Sequence, residues 1–210
     1  MKIACLSNGP YYLLIDPDPA PVPNLRRSSG AACVTARGVA LCRCGGSKNK
    51  PFCDGTHGTI GFKDRNSADP AANKRQSYPG KRIKIFDNRA ICAHAGFCTD
   101  GLKKVFRQHD EPWIDPDGAG VREILETISK CPSGALSYEI EGVEEPPPQR
   151  APMVTVTDNG PYAITGSIEL VDVKFGDGAS AEHYTLCRCG ASKNKPFCDG
   201  SHWDAGFRDP

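Results

Sequence analysis

The chain has 210 residues, of which 39% are hydrophobic, 8% aromatic and 24% charged. So thin an aromatic supply argues against one large core and for several small modules that need staples beyond apolar burial. With 26 basic against 25 acidic residues the net charge is +1, which removes the electrostatic case for nucleic acid or an anionic membrane as partner.

No stretch approaches the roughly 20 continuous apolar residues that a membrane span requires. The opening MKIACLSNGPYYLLIDPDP has no apolar run long enough for a secretory leader before Asn8, Gly9 and Pro10 interrupt it. The 11 cysteines are odd in number. Without a leader they read as thiolates of a reducing, cytoplasmic compartment rather than as half-cystines.

In chain order, the first module is expected over 1–75. Tyr11 to Ile15 and Ala31 to Leu41 read as strands on either side of a proline-rich loop, Asp16 to Pro23. A second module is expected over 76–150. There Lys81 to Phe86 alternates as a strand, and a cysteine- and glycine-containing loop runs from Arg89 to Cys98. Thr99 to Phe106 suits a short helix, and Trp113-Ile114 a short strand. Val121 to Lys130 places Val121, Ile124, Leu125 and Ile128 on one helical face, and Ser133 to Ile140 ends as a strand. Glu144 to Pro152 is a stiff proline-rich linker. A third module is expected over 151–210, with strands at Met153 to Thr157, Tyr162 to Thr165, Ile168 to Phe175 and His183 to Leu186.

The first and third modules are copies of each other. Leu41 to His57 (LCRCGGSKNKPFCDGTH) and Leu186 to His202 (LCRCGASKNKPFCDGSH) agree at 15 of 17 positions, 145 residues apart. Upstream, Asn8-Gly9-Pro10-Tyr11 is matched by Asn159-Gly160-Pro161-Tyr162. Downstream, Gly61-Phe62-Lys63-Asp64 is matched by Gly206-Phe207-Arg208-Asp209.

Each copy offers Cys-x-Cys-x8-Cys-x3-His: Cys42, Cys44, Cys53 and His57, then Cys187, Cys189, Cys198 and His202. Three thiolates and one imidazole are a complete tetrahedral set. A cation draws thiols to thiolates and is held by them in turn. Incidental buried cysteines do not recur with a histidine at one spacing. Structural zinc satisfies the same set, although zinc ribbons favour two to four residues between paired cysteines and here there is one. Asp54 and Asp199 suit the start of a short helix carrying the histidine. Arg43, Lys48, Lys50, Arg188, Lys193 and Lys195 surround the motifs, as a solvated basic loop or as a surface for an acidic partner. Cys5 and Cys33 belong to no motif and read as buried free thiols, and His109 and His183 receive no role.

The stretch CxCxxSxxxPxCDG[ST]H resembles the signature of the CDGSH (mitoNEET-like) iron–sulfur family at every motif position in both copies. The resemblance covers about the first 65 and the last 60 residues. It implies a [2Fe–2S] cluster in each copy, held by the eight residues named above, and pairing of the two CDGSH modules within one chain. Imidazole in place of a fourth thiolate leaves such a cluster less negative and easier to reduce. An imidazole that takes up a proton as its iron bond weakens makes both potential and cluster retention depend on pH. Acid-triggered loss of the visible spectrum is therefore expected, and it should fade in the double variant His57→Cys, His202→Cys. Unchanged lability there would refute this role for the histidines.

The middle module carries a second pattern, Cys92-Ala93-His94-Ala95-Gly96-Phe97-Cys98 and, farther on, Cys131-Pro132-Ser133-Gly134-Ala135-Leu136. It resembles a single-cluster bacterial ferredoxin, of the divergent kind that ends in CPSGAL, from Lys81 to about Gly142. Ordinary ferredoxins have a ligand three residues after the first cysteine, and here that residue is Ala95. The resemblance therefore leaves Cys92, Cys98 and Cys131 as ligands. They imply either a [3Fe–4S] cluster on three thiolates or a [4Fe–4S] cluster with a fourth ligand from His94, solvent or a partner. A small α+β domain with incidental cysteines is the plain alternative.

The expected fold is α+β, with two small β-rich CDGSH-type modules flanking a small ferredoxin-like α+β module. The expected function is a multi-cluster one-electron carrier or relay between redox partner proteins. Cluster storage with transfer to apo-iron–sulfur acceptors, or a zinc-stabilised scaffold, are the other readings. No dinucleotide fingerprint, phosphate loop, Ser-His-Asp set or HExxH is present, so the chain is not expected to be an enzyme by itself.

Overall fold

The computed structural model of the chain describes residues 1–14, 25–33, 38–65 and 73–209. The proline-rich Asp16 to Pro23 lies outside them. Among the described residues no helix is long and apolar enough to cross a membrane.

In the first module β1 (Lys2–Cys5) and β2 (Tyr11–Leu14) form an antiparallel hairpin, and β4 (Val39–Leu41) lies beside β2. In the third module β9 (Met153–Val156), β10 (Tyr162–Thr165) and β12 (Tyr184–Leu186) repeat this arrangement. Asn8 and Asn159 take φ of 50° and 52°, a left-handed turn conformation that asparagine tolerates well. Pro10 and Pro161 sit in the turns, where no ladder N–H is required of them.

Each sheet is completed by a strand from the other module. β11 (Glu169–Leu170) adds parallel to β1 with Leu170 opposite Ile3, and β3 (Leu25–Arg27) adds parallel to β9 with Leu25 opposite Val154. One core therefore runs through both modules. It contains Ile3, Tyr11, Leu13, Leu25 and Leu41 beside Val154, Val156, Tyr162, Ile164 and Leu186. Tyr11 and Tyr162 are fully buried, edge to face, with ring centroids 6.0 Å apart. Each reaches into the opposite copy of the motif. Tyr11 Oη donates to the carbonyls of Cys187 and Pro196, and Tyr162 Oη to those of Cys42 and Pro51, all at 2.9 Å. The isolated backbone bridge between Cys44 and Cys189 joins the two motifs across the seam.

The middle module is an antiparallel sheet in the order β5 (Gln76–Pro79), β6 (Lys84–Asp87), β7 (Leu136–Ile140), β8 (Val143–Glu144). Two helices, α2 (Phe97–Gly101) and α3 (Val121–Ile128), accompany it; α1 (Thr56–Thr59) belongs to the first motif. Ile124 and Ile128 of α3 enter a core with Ile83, Ile85, Val105, Phe106 and Ile114. The Glu123 carboxylate accepts the Gly120 N–H at 3.1 Å and so caps the helix start.

Some elements differ from expectation. The helix expected at Thr99 begins at Phe97, because Gly96 turns left-handed (φ 80°) directly before it, and it ends by Gly101. Of the long strand expected at Ile168 to Phe175, only Glu169–Leu170 is paired; Asp172, at φ 56°, turns the chain away. The strand expected from Ser133 starts at Leu136, after the turn at Gly134. Ala31 to Leu41 contributes Val39–Leu41, and residues 34–37 lie outside the described ones. Cys5 and Cys33 are half-buried rather than buried.

Candidate metal centres

In each CDGSH motif the four donors stand as two pairs. Cys42 Sγ and Cys44 Sγ are 3.9 Å apart, and Cys53 Sγ and His57 Nδ1 are 3.3 Å apart. In the second copy Cys187 and Cys189 are 3.7 Å apart, and Cys198 and His202 Nδ1 are 3.5 Å apart. Two thiolates on one tetrahedral metal, with bonds of about 2.3 Å, stand about 3.8 Å apart; a thiolate and an imidazole stand about 3.6 Å apart. Each pair is thus spaced to share one metal. Among the described residues no group of three or more Cys, His, Asp or Glu side chains is arranged around a single ion.

The loops hold these pairs by local chemistry. Asp54 accepts the Thr56 N–H at 3.0 Å and the Lys48 N–H at 2.8 Å, tying the histidine turn to the loop between the cysteines, and Asp199 repeats both bonds with Ser201 and Lys193. Ser47 and Ser192 each donate to the carbonyl of the phenylalanine before the third cysteine at 2.7 Å. Backbone N–H groups point at the ligand sulfurs: Gly46 at Cys44, Gly55 at Cys53, Ala191 at Cys189 and Gly200 at Cys198, at 3.4–3.5 Å. Such bonds tune the potential of a bound iron–sulfur group.

The motif arginines are not a docking surface. Arg43 and Arg188 are 4% and 1% exposed and pair with Asp64 and Asp209. Those aspartates are pinned in turn, their N–H groups donating to Asn8 Oδ1 and Asn159 Oδ1 at 3.2 and 2.9 Å. The upstream and downstream echoes of the repeat therefore serve one purpose, a clamp behind each motif.

The thiols favour a metal over protons only when one is supplied. Burial raises Cys42 and Cys198 above the ordinary thiol range. Cys187 is pushed well up as it donates to Cys189, which falls to about 7. Burial holds His202 below the ordinary imidazole value, in the neutral form that ligates metals. Bound cations offset the burial of thiolates, so this donor set fits an iron–sulfur group.

In the middle module Cys92, Cys98 and Cys131 line one cavity of about 380 Å³, together with His94, Asp87, Arg89 and, from the third module, Trp203. Burial raises Cys92 to about 11, and burial with the neighbouring Cys131 raises Cys98. Three cysteines converging on one cavity fit a cluster there. His94, at φ 52°, lies on the wall of this cavity with its ring against Gly200 of the second CDGSH motif; a Cβ on Gly200 would stand 2.8 Å from His94 Cγ. Asn194 Nδ2 also reaches across, to the Ala90 carbonyl at 2.9 Å.

Sequence reasoning missed Asp87. It is 1% exposed, both its carboxylate oxygens lack a hydrogen-bond partner among the described residues, and it ends strand β6 at the cavity. An aspartate closing the apolar alternation Ile83-Lys84-Ile85-Phe86 was the available signal. Tyr11 and Tyr162 were visible as the end of a repeated turn and the start of a strand, with nothing to mark their reach into the opposite motif.

A family profile described as "Iron-binding zinc finger CDGSH type" matches residues 8–58 and 159–203, and one described as "Divergent 4Fe-4S mono-cluster" matches residues 78–141. Two curated relatives, each called "Uncharacterized protein YjdI", come from Escherichia coli strain K12 and from Escherichia coli O157:H7. Each is 44% identical over 61 residues, which are 29% of this chain and 80% of the relative. No solved structure matches the chain.

Proposed function

The chain belongs to the CDGSH iron–sulfur family and carries a divergent 4Fe-4S mono-cluster domain between its two CDGSH regions; from that premise we propose that it is a three-cluster electron relay. In this reading Cys42, Cys44, Cys53 and His57 hold one [2Fe–2S] cluster, and Cys187, Cys189, Cys198 and His202 hold another. Cys92, Cys98 and Cys131 hold a [3Fe–4S] or [4Fe–4S] cluster, with His94 available on the cavity wall. The pairing of donors, two and two in each motif, supports two bridged irons over a single zinc.

The observation that carries the relay is the contact between sites. The cavity of the middle module is lined on one side by Trp203, and the His94 ring on its wall lies on the backbone of the second motif. That motif is joined to the first through the Cys44–Cys189 bridge. Bound clusters supply one-electron chemistry. The chain's own residues fix their order, aim N–H groups at the ligand sulfurs and exclude water from the seam with Tyr11 and Tyr162. The partners are redox proteins that deliver or accept single electrons.

Iron, sulfide and zinc per chain on anaerobically purified protein, with visible and EPR spectra, test the reading. About seven or eight irons with matching sulfide are expected. Four irons would leave the middle module empty and remove one station of the relay. Zinc without sulfide would make the motifs structural.

A further inference from the structure

The two CDGSH motifs agree at 15 of 17 positions, yet their surroundings differ. Cys198 and His202 are 2% and 5% exposed, whereas Cys53 and His57 are only half-buried. Gly200 is buried under the His94 ring, and a Cβ on Gly55, its counterpart, would meet none of the described residues within 4 Å. Asn194 is 8% exposed and bonded to Ala90, while Asn49 is exposed. Trp203 faces the middle cavity where the first copy has only Gly58. All four differences have one cause: the inserted domain docks on the second motif and leaves the first open.

Resting on the reading that both motifs carry [2Fe–2S] clusters, we infer that cluster exchange is confined to the first motif and that the inserted domain locks the second. Exchange is ligand substitution. The iron bonds to Cys42, Cys44, Cys53 and His57 break one at a time as bonds to an incoming thiol-bearing acceptor form. Oxidation states would not change; of the protons that four acceptor thiols give up, three pass to the leaving thiolates and the fourth to the leaving His57 imidazole. An acceptor can approach His57 and Cys53 from solvent. To approach His202 and Cys198 it must first lift the middle domain, and that opening cost enters the rate directly. The four ligands are the same residue types in both copies, and the motifs differ only at Gly46/Ala191 and Thr56/Ser201, where each residue keeps its backbone N–H bond, so the difference in rate lies outside the motif.

The test follows loss of visible absorption, and the iron and sulfide retained, when holoprotein is mixed anaerobically with excess iron chelator at fixed pH. Two phases of equal amplitude are expected for the [2Fe–2S] absorption, the first faster by about tenfold or more. His57→Cys should slow the fast phase and leave the slow one, and His202→Cys should leave the fast phase. Asn194→Ala should accelerate the slow phase, while Asn49→Ala, the same change in the same local sequence, should alter neither. Loss of both clusters in one phase, or a fast phase that responds to His202→Cys, overturns the inference while the cluster reading stands. Purified protein with zinc and no sulfide overturns both.

Discussion

Alanine at Gly45 is expected to lower the thermal midpoint of the holoprotein by on the order of 10 °C, while alanine at the adjacent Gly46 leaves it nearly unchanged. Gly45 has φ of 77° and sits where the two motifs meet; a Cβ there would lie 2.4 Å from the Cys189 carbonyl oxygen and 3.1 Å from its Cα. Both neighbours are backbone and cannot rotate away. A left-handed conformation costs a non-glycine residue about 1–2 kcal/mol, and forcing an extra carbon into a packed seam adds about 1–3 kcal/mol. Gly190, the counterpart at φ 79°, faces the Cys44 carbonyl at 2.6 Å and should behave alike. Gly46 is the internal control, because the second copy carries Ala191 in its place. Its added Cβ would meet the ends of the Ile60 and Thr56 side chains at 3.0 Å, which can rotate away, and would stand in ordinary contact with Cys44 Sγ at 3.7 Å. Scanning calorimetry of the three single variants decides the matter; equal shifts at Gly45 and Gly46 would mean that the seam is not held by this approach of the two backbones.

What the sequence made legible was the grouping of the donors, since that grouping is local. Cys42, Cys44, Cys53 and His57 lie within 16 residues, and the turns that aim them are written in the same stretch as Asp54, Ser47 and glycines. Docking was not legible. Nothing within Leu186 to His202 distinguishes Gly200 from Gly55, so the burial of one and exposure of the other depend on where residues 90–94 come to rest. The strand exchange was hidden for a related reason. Leu25–Arg27 and Glu169–Leu170 are too short to show a period, and each finds its partner strand in the opposite module. Asp87 escaped attention because a carboxylate at the end of a strand is usually solvated, and only the tertiary fold encloses it.

Enclosure gives Asp87 a measurable consequence. Burial pushes its carboxyl up to about 6, against the opposing Arg89 guanidinium, whose Nε stands 3.6 Å away. Arg89 also reaches Cys92 Sγ, at 3.7 Å, so carboxylate and cluster site share one cation. Reduction of a cluster held by Cys92, Cys98 and Cys131 would add a negative charge to the cavity and raise the Asp87 pKa further. Below the oxidised-state pKa the carboxyl is protonated in both redox states, and the potential of the middle cluster is flat. Between the oxidised- and reduced-state values the electron brings a proton with it, and the potential falls as pH rises, by at most about 59 mV per unit. Burial, opposed by Arg89, sets the lower edge of that window at about pH 6, and the charge of a bound oxidised cluster would move it higher. In Asp87→Asn the window should close. The variant's potential should match the native one at pH 5, where protonated Asp87 is as neutral as an amide, and exceed it at pH 8, where one negative charge has been removed. Redox titrations of the middle cluster's EPR signal at those two pH values read the difference. An equal offset at both would mean that Asp87 stays ionised throughout, held by Arg89, and no offset at either would place it outside the cluster's field.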